Sequence, residues 1–400
     1  MIFLFDPLFD YKITVNEESD SIPWGLPRLQ IVLASTLLAP LGVPLIGPAL
    51  PLLRTTFEVT ETLASLIISS YFITGIVLSP FIGILSDKIG RKPVLVFSLF
   101  IFGITGGSIY LVNNFYLILL IRFIQGTSAA GIFISTVAII SDTFEGVQRN
   151  AVLGVNIAVL MFGASIFPVV GGYLTKWSWR TPFLTYLAAI PLGVYAFIRM
   201  DESVSSENSQ IVLSEALEAL WDWEILKLMG ATLLSEVLLF GTVLTIFPFL
   251  LESNYGLNPT QIGFVFMLAQ LSTVVSSSLN GFFAKRLADN RIIAIGVLLF
   301  GVGTIASWVA VSVVTLTLAA GILGIGVGLC APSIDSAISG SIDAEKRASI
   351  LSVRNSTTFL GRTTGPILFT FASSIVGYEL VLLIAGIIVL FVGLIAFFKS

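Results

Sequence analysis

Residues 83–93 read Gly-Ile-Leu-Ser-Asp-Lys-Ile-Gly-Arg-Lys-Pro, a polar break with four charges held between two long apolar runs, residues 62–86 and 93–113. About 20 mainly apolar residues cross the hydrocarbon core of a bilayer as a helix, so the stretch reads as a short turn between two membrane spans. Working outward in both directions, the same alternation recurs. It gives spans near residues 29–53, 62–86, 93–113, 115–141, 150–174 and 180–199, and then near 226–251, 261–284, 291–312, 314–338, 348–374 and 376–398. The chain has 400 residues, of which 56% are hydrophobic and 11% charged, and charged residues are roughly 25% of an ordinary soluble domain. Its mean hydropathy is +1.00. The expected fold is therefore an all-α membrane protein of twelve transmembrane helices, with function residing inside the bilayer.

What is missing narrows the chemistry. There is no histidine, which excludes Ser-His-Asp and Cys-His catalysis, HExxH zinc sites and imidazole switches. One cysteine, Cys330, makes neither an internal disulfide nor a cysteine metal cluster. A net charge of −4 argues against nucleic acid as partner. No enzyme chemistry and no cofactor are expected.

Lys and Arg set the orientation, since acidic residues contribute little to the positive-inside rule. Lys88, Arg91, Lys92, Arg149, Lys285, Arg286, Lys346 and Arg347 fall on one side together with the cations flanking the ends, and Arg54, Lys176 and Arg180 on the other. Both termini are thus expected in the cytoplasm, with the chain multi-pass in the cell membrane. The organisation reads as a cytoplasmic tail at 1–28, a six-helix bundle at 29–199, a cytoplasmic linker at 200–225 and a second six-helix bundle at 226–400. The tail is acidic ahead of any long apolar run, unlike a secretory leader, so no cleavage is expected. The linker is acidic throughout, and its part from Ile211 to Trp223 has apolar residues at helical spacing, readable either as an interfacial helix or as a solvated connection.

Shifting the chain by 198 positions aligns the halves without a gap over about 110 residues. Phe57 meets Tyr255, Ser79 meets Ser277, Gly83 meets Gly281, Gly126 meets Gly324, Arg149 meets Arg347, Gly163 meets Gly361 and Pro168 meets Pro366. Six spans per half is an even number, so both halves enter from the same side and are related by an axis along the membrane normal. That is an architecture of alternating-access transporters.

The loop quoted at the outset matches the pattern G-x-L-x-D-x-x-G-R-K in every fixed position, through Gly83, Asp87, Gly90, Arg91 and Lys92. In this it resembles the major facilitator superfamily. The resemblance implies two six-helix bundles around a central cavity, and a cytoplasmic latch in which Asp87 meets the start of span 11 while Arg91 pairs with an acid below span 4. Asp142 is the acid expected there. Span 4 carries Arg122-Phe-Ile-Gln125-Gly126, similar to the family pattern R-x-x-Q-G. Resemblance to proton-coupled members implies that Arg122 tunes a nearby proton site; snorkelling to the outer interface is the plainer alternative. Span 5 carries Gly154, Gly163, Pro168, Gly171 and Gly172, which resemble the drug:proton antiporter pattern except that Phe167 stands where a glycine precedes the proline. The resemblance implies a kinked, close-packed helix between the halves, and export rather than import.

Span 1 contains Pro40, Pro44, Pro48 and Pro51, so it should be bent or locally unwound, leaving carbonyls in need of partners and Pro44 and Pro48 lining the cavity or shaping its wall. Besides Arg122, four ionisable residues lie inside spans: Glu236, Asp335, Arg354 and Arg362. Asp335 and Arg354 lie at matching depth near the cytoplasmic end, as a structural ion pair would. Glu236, about 15 Å into span 7, reads as an isolated midplane acid fit to load and release protons. A permanently neutral acid bonded to a neighbouring helix is the alternative. Gln125 and Arg362 are candidate contacts for a neutral or anionic substrate.

The expected activity is proton-coupled efflux of a small, partly hydrophobic compound by alternating access. Its partners would be that compound, protons and the lipid bilayer, and the chain would work as a monomer. The second reading is a symporter or facilitator importing a metabolite such as a sugar or organic acid. A non-transporting membrane sensor is the more distant one.

Overall fold

In a computed structural model the described residues are 22–202, 221–341 and 344–399, with the side chains of residues 80, 341–349 and 399 excepted. Residues 1–21 of the tail and residues 211–220 of the suspected interfacial helix lie outside this description. The first half runs through span 1 (Pro27–Phe57), span 2 (Glu61–Ile89), span 3 (Arg91–Leu111), span 4 (Phe115–Thr143), span 5 (Gly146–Leu174) and span 6 (Thr181–Arg199). The second runs through span 7 (Trp223–Tyr255), span 8 (Pro259–Ala284), span 9 (Asp289–Trp308), span 10 (Val313–Ser341), span 11 (Ala344–Val376) and span 12 (Tyr378–Lys399). Eleven of these are long and apolar enough to cross a membrane. Span 11, a helix of 33 residues, is the more polar exception and holds Arg354 and Arg362.

Local chemistry fixes where the helices start and stop. Thr60, Asn114 and Asp222 each accept a hydrogen bond from a first-turn amide of the helix that follows. Asn258 and Gln261 form a reciprocal capping box. The turn between spans 2 and 3 passes through Gly90 at φ +101°, a conformation that a side chain would strain. Large apolar side chains such as Phe81, Phe97, Phe371 and Phe391 project from the outer surface, as helices bathed in lipid require.

The internal repeat is visible in the packing. A Cβ on Gly126 would lie 1.8 Å from the carbonyl oxygen of Tyr71, and one on Gly324 would lie 2.2 Å from that of Ala269, the positions equivalent by the 198-residue shift. In each half this glycine lets span 4 or 10 press its backbone onto span 2 or 8. The opening helices of the halves also share a defect. Span 1 leaves the α-helix between Ala39 and Ala49 through two short 3-10 turns, and span 7 widens to a π-helix at Leu239–Ile246, residues equivalent to 41–48. The prolines account for the break in span 1.

Spans 2 and 11, and spans 5 and 8, pack across the junction between the halves. Spans 5 and 8 come backbone to backbone near the end of span 5 and the start of span 8. A Cβ on Gly172 would lie 2.2 Å from the Pro259 carbonyl oxygen, and one on Gly263 would lie 2.3 Å from that of Pro168. Thr260 donates to the Gly172 carbonyl at 3.0 Å. Arg54 joins Glu61 at 2.8 Å and Glu252 at 3.3 Å, and the Tyr378 hydroxyl bonds Glu61. Arg54 and Glu252 are themselves equivalent by the repeat, so this ion pair straddles the axis relating the halves. At this end of the molecule the two halves are therefore joined by contacts from spans 1, 2, 5, 7, 8 and 12.

Candidate functional site

At the centre of the N-terminal half, Arg122 is fully buried. Its guanidinium donates to the Ile67 carbonyl at 3.2 Å, to Gln125 Oε1 at 2.8 Å, to the Tyr186 hydroxyl at 3.3 Å and to the Gly42 carbonyl, and it lies 4.5 Å from the centre of the Tyr71 ring. Tyr186 in turn donates to the Leu41 carbonyl at 2.7 Å. The carbonyls of residues 41 and 42 are those that the broken span 1 frees, and Arg122 and Tyr186 take them up. Pro48 is buried in the same segment and Pro44 partly so. Arg122 therefore does not snorkel, and Glu236 is not among its contacts. Its hydrogen bonds go to neutral acceptors within its own half. Gln125 is buried beside it and serves as one of those acceptors.

Glu236 is not isolated either. Arg362 Nε donates to its Oε2 at 2.9 Å and Arg362 Nη2 to its Oε1 at 3.2 Å, a two-pronged pair between spans 7 and 11. The side chains are 32% exposed for Arg362 and 15% for Glu236, so both are reachable. The Arg362 guanidinium stands 5.5 Å from the Phe72 ring and 5.2 Å from the Phe240 ring. Those rings meet edge-to-face at 5.2 Å, and Phe359 lies 6.1 Å from Phe72. Phe72 comes from span 2 and Phe240 from span 7, so one ring from each half flanks the guanidinium. The glycine of span 11 equivalent to Gly163, Gly361, permits the approach: a Cβ there would sit 2.6 Å from Glu236 Cβ.

Two turns earlier on span 11, Arg354 holds Asp335 through Nε at 3.1 Å and Nη2 at 3.3 Å. At the rim, Arg91 bonds Asp142 Oδ2 at 3.1 Å and also meets Asp87. Gly83 lies near the end of span 2, and the amide of Lys92 donates to Glu202 at 3.3 Å. The side chains at the start of span 11 that Asp87 is expected to meet lie outside the described residues. In span 5, Pro168 sits inside the helix, and a Cβ on Gly171 would lie 1.8 Å from the Leu45 carbonyl oxygen of span 1. Gly163 faces Leu37 and Pro40, with Phe167 folded beside it, whereas nothing lies close to Gly154.

Sequence reasoning passed over the three phenylalanines, Tyr186 and the outer cluster. Arg54 and Glu252 had a signal that could have found them: opposite charges at repeat-equivalent positions are near each other if the axis passes between them.

Two matched six-helix bundles, closed at one mouth around a partly charged interior, define a membrane transporter rather than an enzyme. A profile of the Major Facilitator Superfamily matches residues 32–239 and 228–400, and the chain belongs to that family. It is 28% identical to the bacillibactin exporter of Bacillus subtilis over 82% of this chain and 85% of that one. It is 23% identical to multidrug resistance protein 2 of the same organism, over 84% and 86%. Against the quinolone resistance protein NorA of Staphylococcus aureus the identity is 28% over 50% and 52%. Among solved structures, a bacterial homologue of the human lysosomal transporter Spinster, inward-facing and unoccupied, superposes with a TM-score of 0.80 at 14% identity, covering 95% of this chain and 97% of that one. The nucleoside transporter NupG superposes with a TM-score of 0.76 at 14% identity, over 93% and 100%.

Proposed function

We propose that this transporter exports a small, partly hydrophobic compound from the cytoplasm across the plasma membrane in exchange for protons, with both termini in the cytoplasm and one chain sufficient for the cycle. The observation that carries the reading is the Glu236–Arg362 pair, a reachable carboxylate and its counter-charge flanked by two phenylalanine rings. A relative named as an exporter, that of bacillibactin, supports the outward direction.

With the outer mouth closed, the interior is offered to the cytoplasm, and substrate enters against the phenylalanines. Opening outward requires the Arg54–Glu252 contact to part and the cytoplasmic ends to close, where Arg91, Asp87 and Asp142 form the latch. A proton arriving from outside neutralises Glu236 and releases its hold on Arg362. That changes the charge of the site for the return step. Arg354 and Asp335 neutralise each other and keep span 11 in register with span 10.

The test is transport in proteoliposomes with an imposed pH gradient, against cationic, neutral and anionic aromatic compounds. Uphill accumulation that grows with the gradient and collapses when a protonophore is added is expected. Equilibration of every compound without accumulation would refute proton coupling.

A further inference from the structure

The geometry around Glu236 and Arg362 points to the charge class of the substrate, an inference that rests on this pair belonging to the transport site. We propose that the site takes aromatic zwitterions. The ligand's carboxylate would replace Glu236 on Arg362, its cationic nitrogen group would replace Arg362 on Glu236, and its flat body would lie against Phe72, Phe240 and Phe359.

The reasoning is a charge balance. Arg362 and Glu236 satisfy each other through two hydrogen bonds, at 2.9 and 3.2 Å, inside a wall of phenylalanines and small residues. A monovalent cation competing for Glu236 strands Arg362 against two aromatic rings. A monovalent anion competing for Arg362 strands Glu236, 15% exposed, in the same wall. Breaking this partly buried pair from one side leaves a charge without its partner, and closure of the site around a bound ligand removes the water that screens it. A molecule carrying both charges exchanges one pair for two and leaves nothing stranded.

The other charges nearby do not upset the balance. Arg354 and Asp335, eight residues or about 12 Å along span 11, already neutralise each other. Arg122 is fully buried, with its donors committed to Gly42, Ile67, Gln125 and Tyr186, so a ligand cannot reach it. The rings suit a planar body, because Phe72 and Phe240 already flank the guanidinium and Phe359 packs beside Phe72.

Three dyes sharing one xanthene body separate the cases: rhodamine 110 is a zwitterion at neutral pH, its methyl ester rhodamine 123 is a cation, and fluorescein is an anion. Binding to the purified full-length protein in lipid nanodiscs is read by fluorescence anisotropy at pH 7.5 with no gradient present. Rhodamine 110 is expected to bind at least tenfold tighter than either relative, equivalent to about 1.4 kcal/mol. Arg362→Gln should shift the preference to rhodamine 123, and Glu236→Gln should shift it to fluorescein. The double exchange Glu236→Arg with Arg362→Glu keeps a pair in place, so it should fold and keep the preference for rhodamine 110 even where a single variant does not. Equal affinity for the three dyes, no binding of rhodamine 110, or rankings unmoved in the folded single variants would overturn the proposal. A failure of proton coupling looks different: the binding order stands while accumulation in vesicles ignores the pH gradient.

Discussion

Arg54→Gln should open the outer mouth. The wild-type side chain meets Glu61 at 2.8 Å within its own half, but crosses to the other half to meet Glu252 at 3.3 Å and to lie 5.7 Å from the Phe249 ring. The side chains of Arg54 and Glu252 are 26% and 37% exposed, so the ion pair is worth about 0.2–1 kcal/mol after screening. The cation–ring contact adds about 0.5–1 kcal/mol. Losing both removes about 1–2 kcal/mol from the outward-closed state, a factor of roughly 5–30 in the ratio of closed to open molecules. Spin labels at Thr56→Cys and Asn254→Cys, exposed positions equivalent by the repeat, report that ratio by double electron–electron resonance in a Cys330→Ala background that removes the buried native thiol. Arg54→Gln should move population from the short to the long distance, and adding Tyr378→Phe, which removes the bond to Glu61, should move more. An unchanged distance distribution in both variants would show that the Arg54 cluster does not hold the mouth shut.

Further outcomes follow from the interior. Removing either Asp335 or Arg354 alone should lower thermal stability by about 1–2 kcal/mol, discounted because the Asp335 side chain is 48% exposed, whereas exchanging the two should recover part of the loss; additive damage in the exchange would deny the pairing. Asp87→Asn keeps side-chain size and leaves Arg91 bonded to Asp142, so it should slow transport while the protein stays inserted and folded, and unchanged turnover in vesicles would contradict a latch. Gly126→Ala would place a methyl group 1.8 Å from the Tyr71 carbonyl oxygen and should abolish the yield of folded protein, while Gly154→Ala, with open space around it, should leave yield and melting temperature nearly unchanged.

Most of the fold was legible because a bilayer imposes a length and a polarity on every span. Span 11 is the least apolar of the set for a physical reason: Arg354 and Arg362 face partners inside the protein, not lipid. The broken span 1 was legible from its prolines, and so was the need of its freed carbonyls for donors. That Arg122 supplies one of them was not legible, since the contact joins residues 80 positions apart and depends on how two helices are rotated about their axes. The same ignorance of rotation made Glu236 look solitary, when Arg362, 126 positions later, turns toward it. The rim was easier. The pattern that contains Arg91 implied an acid below span 4, and Asp142 stands 3.1 Å from it.

The central claim, that a proton carried by Glu236 drives export, is tested most directly by uptake into inverted vesicles under a graded pH difference. For one proton per cycle, each pH unit supplies about 1.4 kcal/mol and permits roughly tenfold more accumulation. Glu236→Gln keeps the size and hydrogen-bonding shape of the protonated acid but releases no proton. This variant should still exchange substrate between the two sides while its accumulation no longer depends on the pH gradient. A Glu236→Gln variant that accumulates substrate in step with the gradient as the wild type does would contradict it.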